Sequence, residues 1–312
     1  MEVEAPAVRP LRGQVFTYLF NLALSVMLFQ SVIFSLFTPL PQMFCYLRLG
    51  RWAGLSIPLI VFALFSLAGT GAGFSYLLQF ALPGVLLSET IRRGYSIERA
   101  FFISVATVLV FSLGSLAFVA SGKGLSSRDM VAGFVEKVLE ETIAYNEKAL
   151  GSKEQVREFK KAAPIVVEMV SSLYYSLAAI ALMFTLWLNV VGLSRLARSS
   201  GLVPPFGGSL SKWKAPEHLV WGAVAGGVAL LSGHELAGRL GINLLLILFV
   251  IYFFQGMAII SYMLKKREVS VFLKGAAYIL AVWYFSIIIA LVGLFDLWVD
   301  FRKLSPAKEE SR

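Results

Sequence analysis

Apolar residues gather along this chain into eight long stretches with short polar segments between them. They run from Gln14 to Phe37, Trp52 to Ala68, Phe74 to Ile91, Ala100 to Ala120, Ile165 to Leu193, Leu219 to Ser232, Asn243 to Leu264 and Val271 to Val299. A helix needs about 20 mostly apolar residues to cross the hydrocarbon core of a bilayer. The pattern therefore predicts an all-α fold, a polytopic transmembrane helical bundle of about eight spans. The sixth stretch is short, and the fifth and eighth are long enough to tilt or to project beyond the bilayer. Strand-type alternation is absent, which argues against a transmembrane barrel.

Two polar segments interrupt the pattern, and the reading is of a single transmembrane domain over residues 1–312. Residues 121–163 form an extramembrane insertion between spans four and five. There Val131, Val135 or Phe134, Val138, Thr142 and Tyr145 fall on one helical face, with Glu136, Lys137, Glu140 and Glu147 elsewhere. Ser126 with Asp129 reads as the capping signal of this amphipathic helix, Gly151 as its stop, and Ser152 with Gln155 as the start of a second short helix. Pro164 then begins or kinks the fifth span. Residues 199–217 are a connector rich in Gly, Pro and Ser, where turn residues prevent a long helix. Trp213 and Trp221 flank the start of the sixth helix at the depth indole rings prefer. Gly222 and Gly226 form a small-residue pair that lets a neighbouring helix approach. Gly69, Gly71 and Gly73 read as a tight interhelical turn, because no strand precedes them as a phosphate loop would need.

Composition agrees, with 58% apolar and 15% charged residues. The formal charge of +9 does not point to nucleic acid, since the basic residues sit at helix ends and form no stripe with interleaved aromatics. Positive-inside topology and anionic headgroups account for them. Loops carrying Arg48 and Arg51, Arg92, Arg93 and Arg99, Arg195 and Arg198 with Lys212 and Lys214, and Lys265 to Arg267 all fall on one side of an eight-span chain. That side is expected to be cytoplasmic, which makes 199–217 a cytoplasmic connector and the protein a multi-pass protein of the bacterial cytoplasmic membrane. The same arrangement places both termini, with Arg9, Arg12, Arg302 and Lys303, on the outside, against the rule that set it. The first apolar run reads as a retained helix. A single cysteine, Cys45, excludes an intramolecular disulfide, and His218 and His234 alone argue against a structural zinc site. No metal, cofactor or catalytic constellation is expected, and the chain does not read as an enzyme.

Candidate site residues are the polar ones placed in apolar stretches, because a carboxylate at mid-bilayer costs about 2.5–3.5 kcal/mol even on insertion scales. Glu89 precedes Arg92 and Arg93, so it is either a helix-end ion pair or a substrate or proton site. Glu168 lies at the interface or lines a cavity. Asn21, Gln30, Gln79, Asn189, Asn243 and Gln255 are amides within spans, where each alone is explained by interhelical hydrogen bonding. Convergence of Glu89, Glu168, Asn189 and Gln255 on one cavity would make a ligand site. Asp296 and Asp300 are one turn apart on one face, with Arg302 and Lys303 close behind. That cluster reads as a structural helix-end ion pair at emergence into water.

Three strings carry a resemblance: Gly293 to Lys303 (GLFDLWVDFRK), Asn243 followed by Tyr252 to Gly256 (YFFQG), and Trp213 to Pro216 (WKAP). Together with Pro39-Leu-Pro41, Arg48 and Gly50, they resemble the YybS-like family of bacterial membrane proteins, the domain of unknown function numbered 2232. That family is in turn distantly similar to the substrate-binding components of energy-coupling-factor vitamin transporters and to the rod-shape protein MreD. The resemblance implies a compact helical bundle and no carried-over site residues. Two functions follow from it. One is a small-molecule-binding or transport component with a small-molecule ligand. The other is a non-transporting membrane scaffold in envelope or cell-shape assembly, with a membrane-protein partner. The first helix holds only Ala23 and so lacks the Ala-x-x-x-Ala contact of the vitamin-binding components.

Overall fold

The computed structural model describes residues 11–31, 33–69, 71–149, 153–202 and 210–303, and the protein is all-α, with no strand among them. The chain divides into two compact units, Met1–Val119 with Ala181–Gly207 and Ala120–Ile180 with Gly208–Arg312.

In the first unit, α1 (Leu11–Gln30) leads through a 3-10 turn at Ser35–Phe37 into α2 (Pro39–Leu49) and α3 (Arg51–Leu67). α2 was not expected from the pattern, because this proline-bearing segment between two longer apolar stretches reads as a connecting loop. Its start is set by Pro39 and Pro41, whose missing N–H groups cost nothing in a first turn. It is among the best buried elements, with Met43, Phe44, Cys45 and Tyr46 all in the core. The Gly69–Gly73 turn is tight as expected, with Gly69 and Gly71 in left-handed conformations. A Cβ on Gly73 would meet the Ser66 backbone nitrogen at 2.9 Å, so the next helix starts flush against α3. That helix runs through α4 (Ala72–Tyr76), a π-helical turn at Leu77–Ala81, and α5 (Leu82–Arg92). Phe29, Phe65, Tyr76 and Phe80 pack edge-on around the centre of this unit. α6 (Ile97–Gly122) follows.

In the second unit, α7 (Ser127–Ala149) opens with the expected capping box. The Asp129 carboxylate accepts from Ser126 Oγ at 2.6 Å, and the Asp129 amide donates to Ser126 Oγ at 3.1 Å. Gly151 and Ser152, expected to stop one helix and begin another, lie outside the described residues. No separate short helix follows them: α8 runs unbroken from Lys153–Ser199 with Pro164 inside it. At 47 residues it is about 70 Å long, more than twice the hydrocarbon thickness, so one helix serves as both extramembrane arm and span. Arg128, at the start of α7, pairs with Glu168, and Glu147, near its end, pairs with Lys160 at 2.6 Å. The arm therefore folds back antiparallel on α7.

The remaining helices are α9 (Leu219–Leu231), α10 (Glu235–Lys266), α11 (Val271–Tyr284) and α12 (Ser286–Val299). In lipid, apolar contact between helices gains nothing from the hydrophobic effect, so close backbone approach at small residues carries the packing. Gly226 on α9 and Gly241 on α10 form one such contact: a Cβ on Gly241 would stand 2.6 Å from the Gly226 carbonyl. Gly256 and Gly293 form another between α10 and α12, where an added Cβ would collide with the carbonyls of Ile289 and Tyr252.

All eight apolar stretches are helical, but they are not eight equivalent spans. Among the described residues five helices are long and apolar enough to cross a membrane, or up to six if the last pair counts as one. α3 and α9, at 17 and 13 residues, fall short. The long eighth stretch is broken at Phe285, where α11 and α12 meet with a 98° bend. Each is 14 residues, about 21 Å, too short to cross alone. α11 begins five residues after α10 ends, and Arg302, just past α12, binds the Ser211 carbonyl at 3.0 Å. Lys265, near the end of α10, reaches the hydroxyl of that same Ser211 at 3.5 Å. The pair thus enters and returns at one end of α10, as a re-entrant element. Arg302 and Lys303 accordingly lie beside Lys212, Lys214 and Lys265, and the charge conflict at the C-terminus of an eight-span chain disappears.

Candidate functional site

Glu89, Glu168, Asn189 and Gln255 do not share one cavity within either unit; each of these four has its own partners. In the first unit, Asn189 on α8 donates to the Leu36 carbonyl at 2.7 Å and to Thr185 at 2.6 Å, tying α8 to the segment before α2. Asn21 donates to Thr17 in its own turn. Glu89 stands near the end of α5 with only 16% of its side chain exposed. It accepts from Arg92 Nη2 at 2.6 Å and Nε at 3.1 Å, from Arg93 Nε at 3.0 Å, and from the Tyr46 hydroxyl. Arg51 at the start of α3 pairs with it at 3.7 Å. The expected helix-end ion pair is therefore one carboxylate under three guanidiniums from two helices.

Gln42 on α2 was missed, because the pattern placed it in a loop. Its amide donates to the carbonyls of Phe80 and Ala81, at 3.2 and 3.1 Å. Those carbonyls belong to the π turn just before Pro83, and a Cβ on Gly84 would occupy the space of the Gln42 amide. An amide in an apolar run one helix away from a Leu-Pro-Gly sequence was the available signal.

In the second unit, Asn243 binds α8 from α10: its amide nitrogen donates to the Ser172 carbonyl and its oxygen accepts from the Ser176 amide, both at 3.0 Å. Gln255 is fully buried. It donates to Asp296 at 3.0 Å and accepts from the Ala215 amide at 3.0 Å. Asp296 also receives Arg302 Nη2 at 2.7 Å and the Phe301 amide at 2.9 Å. Arg302 Nη1 donates to the carbonyls of Ser211 and Trp213, at 3.0 and 2.7 Å. Asp296 and Arg302 form an ion pair with both side chains fully buried, not at an emergence into water. Asp300, the third residue of the expected cluster, stands at the end of α12. It caps α12 in a left-handed conformation, its amide bonded to the Asp296 carbonyl at 3.2 Å. Connector, α10 and the end of α12 are thereby latched at one point, and the three strings Trp213–Pro216, Tyr252–Gly256 and Gly293–Lys303 meet there. Every oxygen of Asp296 is engaged in holding backbone and side chains in place, so the latch offers fixation rather than acid–base chemistry.

Glu168 is elsewhere, on the exposed part of α8, where it binds Arg128 and accepts from Ser172 Oγ at 3.1 Å. It lines a groove of about 550 Å³ between α7 and α8. The floor is apolar, with Leu139, Ile143, Ala163, Pro164 and Val167, while Glu136, Glu140, Glu147 and Lys160 stand around it. Glu147 and Glu168 are paired; Glu136 and Glu140 have no partner among the described residues. Burial is shallow at the groove, where Glu136, Glu140, Glu147, Lys160 and Glu168 are all exposed.

His234 and Glu235, where α10 begins, are exposed, and among the described residues no group of three His, Cys, Asp or Glu could hold a metal ion. Trp221 is largely exposed, as an anchor at the interface would be, while Trp213 is half-buried and holds Arg302 through its carbonyl. No curated protein and no solved structure matches this chain. Residues 15–297, nearly the whole length, match the family described as Predicted membrane protein (DUF2232), and the protein belongs to that family.

Proposed function

We propose that this membrane protein is a non-enzymatic, non-transporting docking component whose α7–α8 groove receives a basic, amphipathic segment of a partner protein. The observation that carries the reading is the groove itself: an apolar floor bordered by four carboxylates against one lysine, with Glu136 and Glu140 unpaired among the described residues. Such a surface complements a helix with apolar residues on one face and Lys or Arg beside them. The alternative, a small-molecule-binding or transport component like the energy-coupling-factor proteins, calls for Glu89, Glu168, Asn189 and Gln255 around one cavity. Glu89 and Asn189 are instead committed to different partners within the first unit, as Glu168 and Gln255 are within the second. The docking reading is closer to the role of MreD in envelope assembly. The gathering of basic residues in loops on one side of the chain supports a location in a bacterial cytoplasmic membrane.

Photo-crosslinking from position 143 in intact cells tests this. A protein adduct whose crosslinked peptide is basic and amphipathic, and which Glu136→Lys with Glu140→Lys abolishes, is the expected result. Adducts of lipid or of a small molecule alone would sink the proposal.

A further inference from the structure

The Glu89 cluster holds more positive charge than its structure needs. One carboxylate faces Arg51, Arg92 and Arg93, leaving a local excess of two positive charges. Like charges gathered at a helix end repel one another, and a second acid would have neutralised them more simply. Glu89 instead takes the inward-facing donors: Nε and Nη2 of Arg92, Nε of Arg93, and the Nε side of Arg51. Arg92 also lies within hydrogen-bond reach of the Tyr46 hydroxyl, and the outer parts of the guanidiniums face away from Glu89: the side chains are 47%, 48% and 61% exposed for Arg51, Arg92 and Arg93. Tyr46, buried in α2, fixes the carboxylate from below, and Arg51 is steadied over the Trp52 ring at 5.6 Å. Trp52 itself is 79% exposed, as an indole at the depth of lipid phosphates would be.

We infer that Arg51, Arg92 and Arg93, organised by Glu89 and Tyr46, form a binding site for a phosphate group, presented either by an anionic lipid headgroup or as free phosphate. The planar guanidinium fork matches phosphate oxygens two at a time, which an ammonium does not. A phosphomonoester near neutral pH carries close to two negative charges, which balances the excess left after Glu89 is counted.

The test uses the full chain in detergent, with native mass spectrometry reading retention of phosphatidic acid against phosphatidylcholine. Arg92→Gln with Arg93→Gln is expected to weaken phosphatidic acid binding about tenfold or more, the size of one lost charge-assisted hydrogen bond. Lys266→Gln with Arg267→Gln removes the same charge at the end of α10 and is expected to change it less than about twofold. Arg93→Lys, a mild change at the most exposed of the three arginines, keeps the charge and loses the fork, and is expected to behave nearly as Arg93→Gln. Inorganic phosphate is the second probe: displacement of the lipid by millimolar phosphate, with protection from thermal unfolding in the parent and not in the Arg92→Gln, Arg93→Gln protein, assigns free phosphate as a ligand. Failure to displace assigns the lipid. Equal weakening by the two double variants, full retention in Arg93→Lys, or no binding of either probe to the parent overturns the site and leaves only general attraction of basic loops to the membrane.

Discussion

Asp296 is the residue on which the second unit depends most. It lies fully buried with Arg302, and their ion pair is fixed further by Gln255 and the Phe301 amide. Removing one partner of such a pair strands the other charge, at a cost of about 3–5 kcal/mol, whereas replacing both by apolar groups of similar volume is often neutral. Asp296→Ala should therefore lower the unfolding midpoint in detergent strongly, and Asp296→Leu combined with Arg302→Met should recover most of the loss. A full additive loss in the double variant would mean that the hydrogen bonds to Ser211 and Trp213, not the charge pairing, hold the latch. Asp129 acts at the same scale on the exposed side. Its carboxyl is held below the usual aspartate range by the Ser126 hydroxyl and then by the Ser126 amide. A group whose folded value is depressed adds stability above its unfolded pKa of about 3.9 and loses it as pH falls through the folded value. The start of α7 should fray on acidification below about pH 4, seen as faster amide exchange of residues 127–130, and Ser126→Ala should show the same fraying already at pH 7.

Among the elements, α10 and α12 pack by having nothing at two positions. Gly256→Ala and Gly293→Ala each drive a methyl into a backbone carbonyl, which no rotamer change relieves. Each should destabilise by about 1–3 kcal/mol, the range for overpacking. Gly275→Ala on α11, where a Cβ meets nothing within 4 Å, should be silent or slightly stabilising. Thermal unfolding of the three variants side by side checks the close approach directly. The capping box of α7 and the Gly69–Gly73 turn were legible because the groups involved lie within a few residues of each other. The fusion of the expected short helix into α8 was not legible. Pro164 reads locally as a boundary, yet a helix absorbs one proline when the rest of its length is held, here through Arg128 with Glu168 and Lys160 with Glu147.

Over the molecule as a whole, the re-entrant α11–α12 pair decides where the chain ends. A reporter active only in the cytoplasm, fused after Arg312, should match the same reporter inserted after Lys214, and not one inserted after Lys123 at the far end of α6. Agreement with Lys123 instead would restore a last true span. The sequence by itself determined that the solvent is lipid, that the fold is helical, where each apolar stretch lies, and that a polar helical arm interrupts them. Those properties follow from composition and from periodicities shorter than two helical turns, which any reader of the chain can measure. Only the tertiary structure decided which apolar stretches cross and which return, and which polar residues meet. The 98° bend follows from packing α12 back on Gly256, and Gln255 finds Asp296 and Ala215 from 41 and 40 residues away. Pairings at such separations depend on how helices stack, and in a bilayer every stacking of apolar faces has nearly the same hydrophobic energy. The choice then falls to a few glycines and amides whose partners no local pattern names.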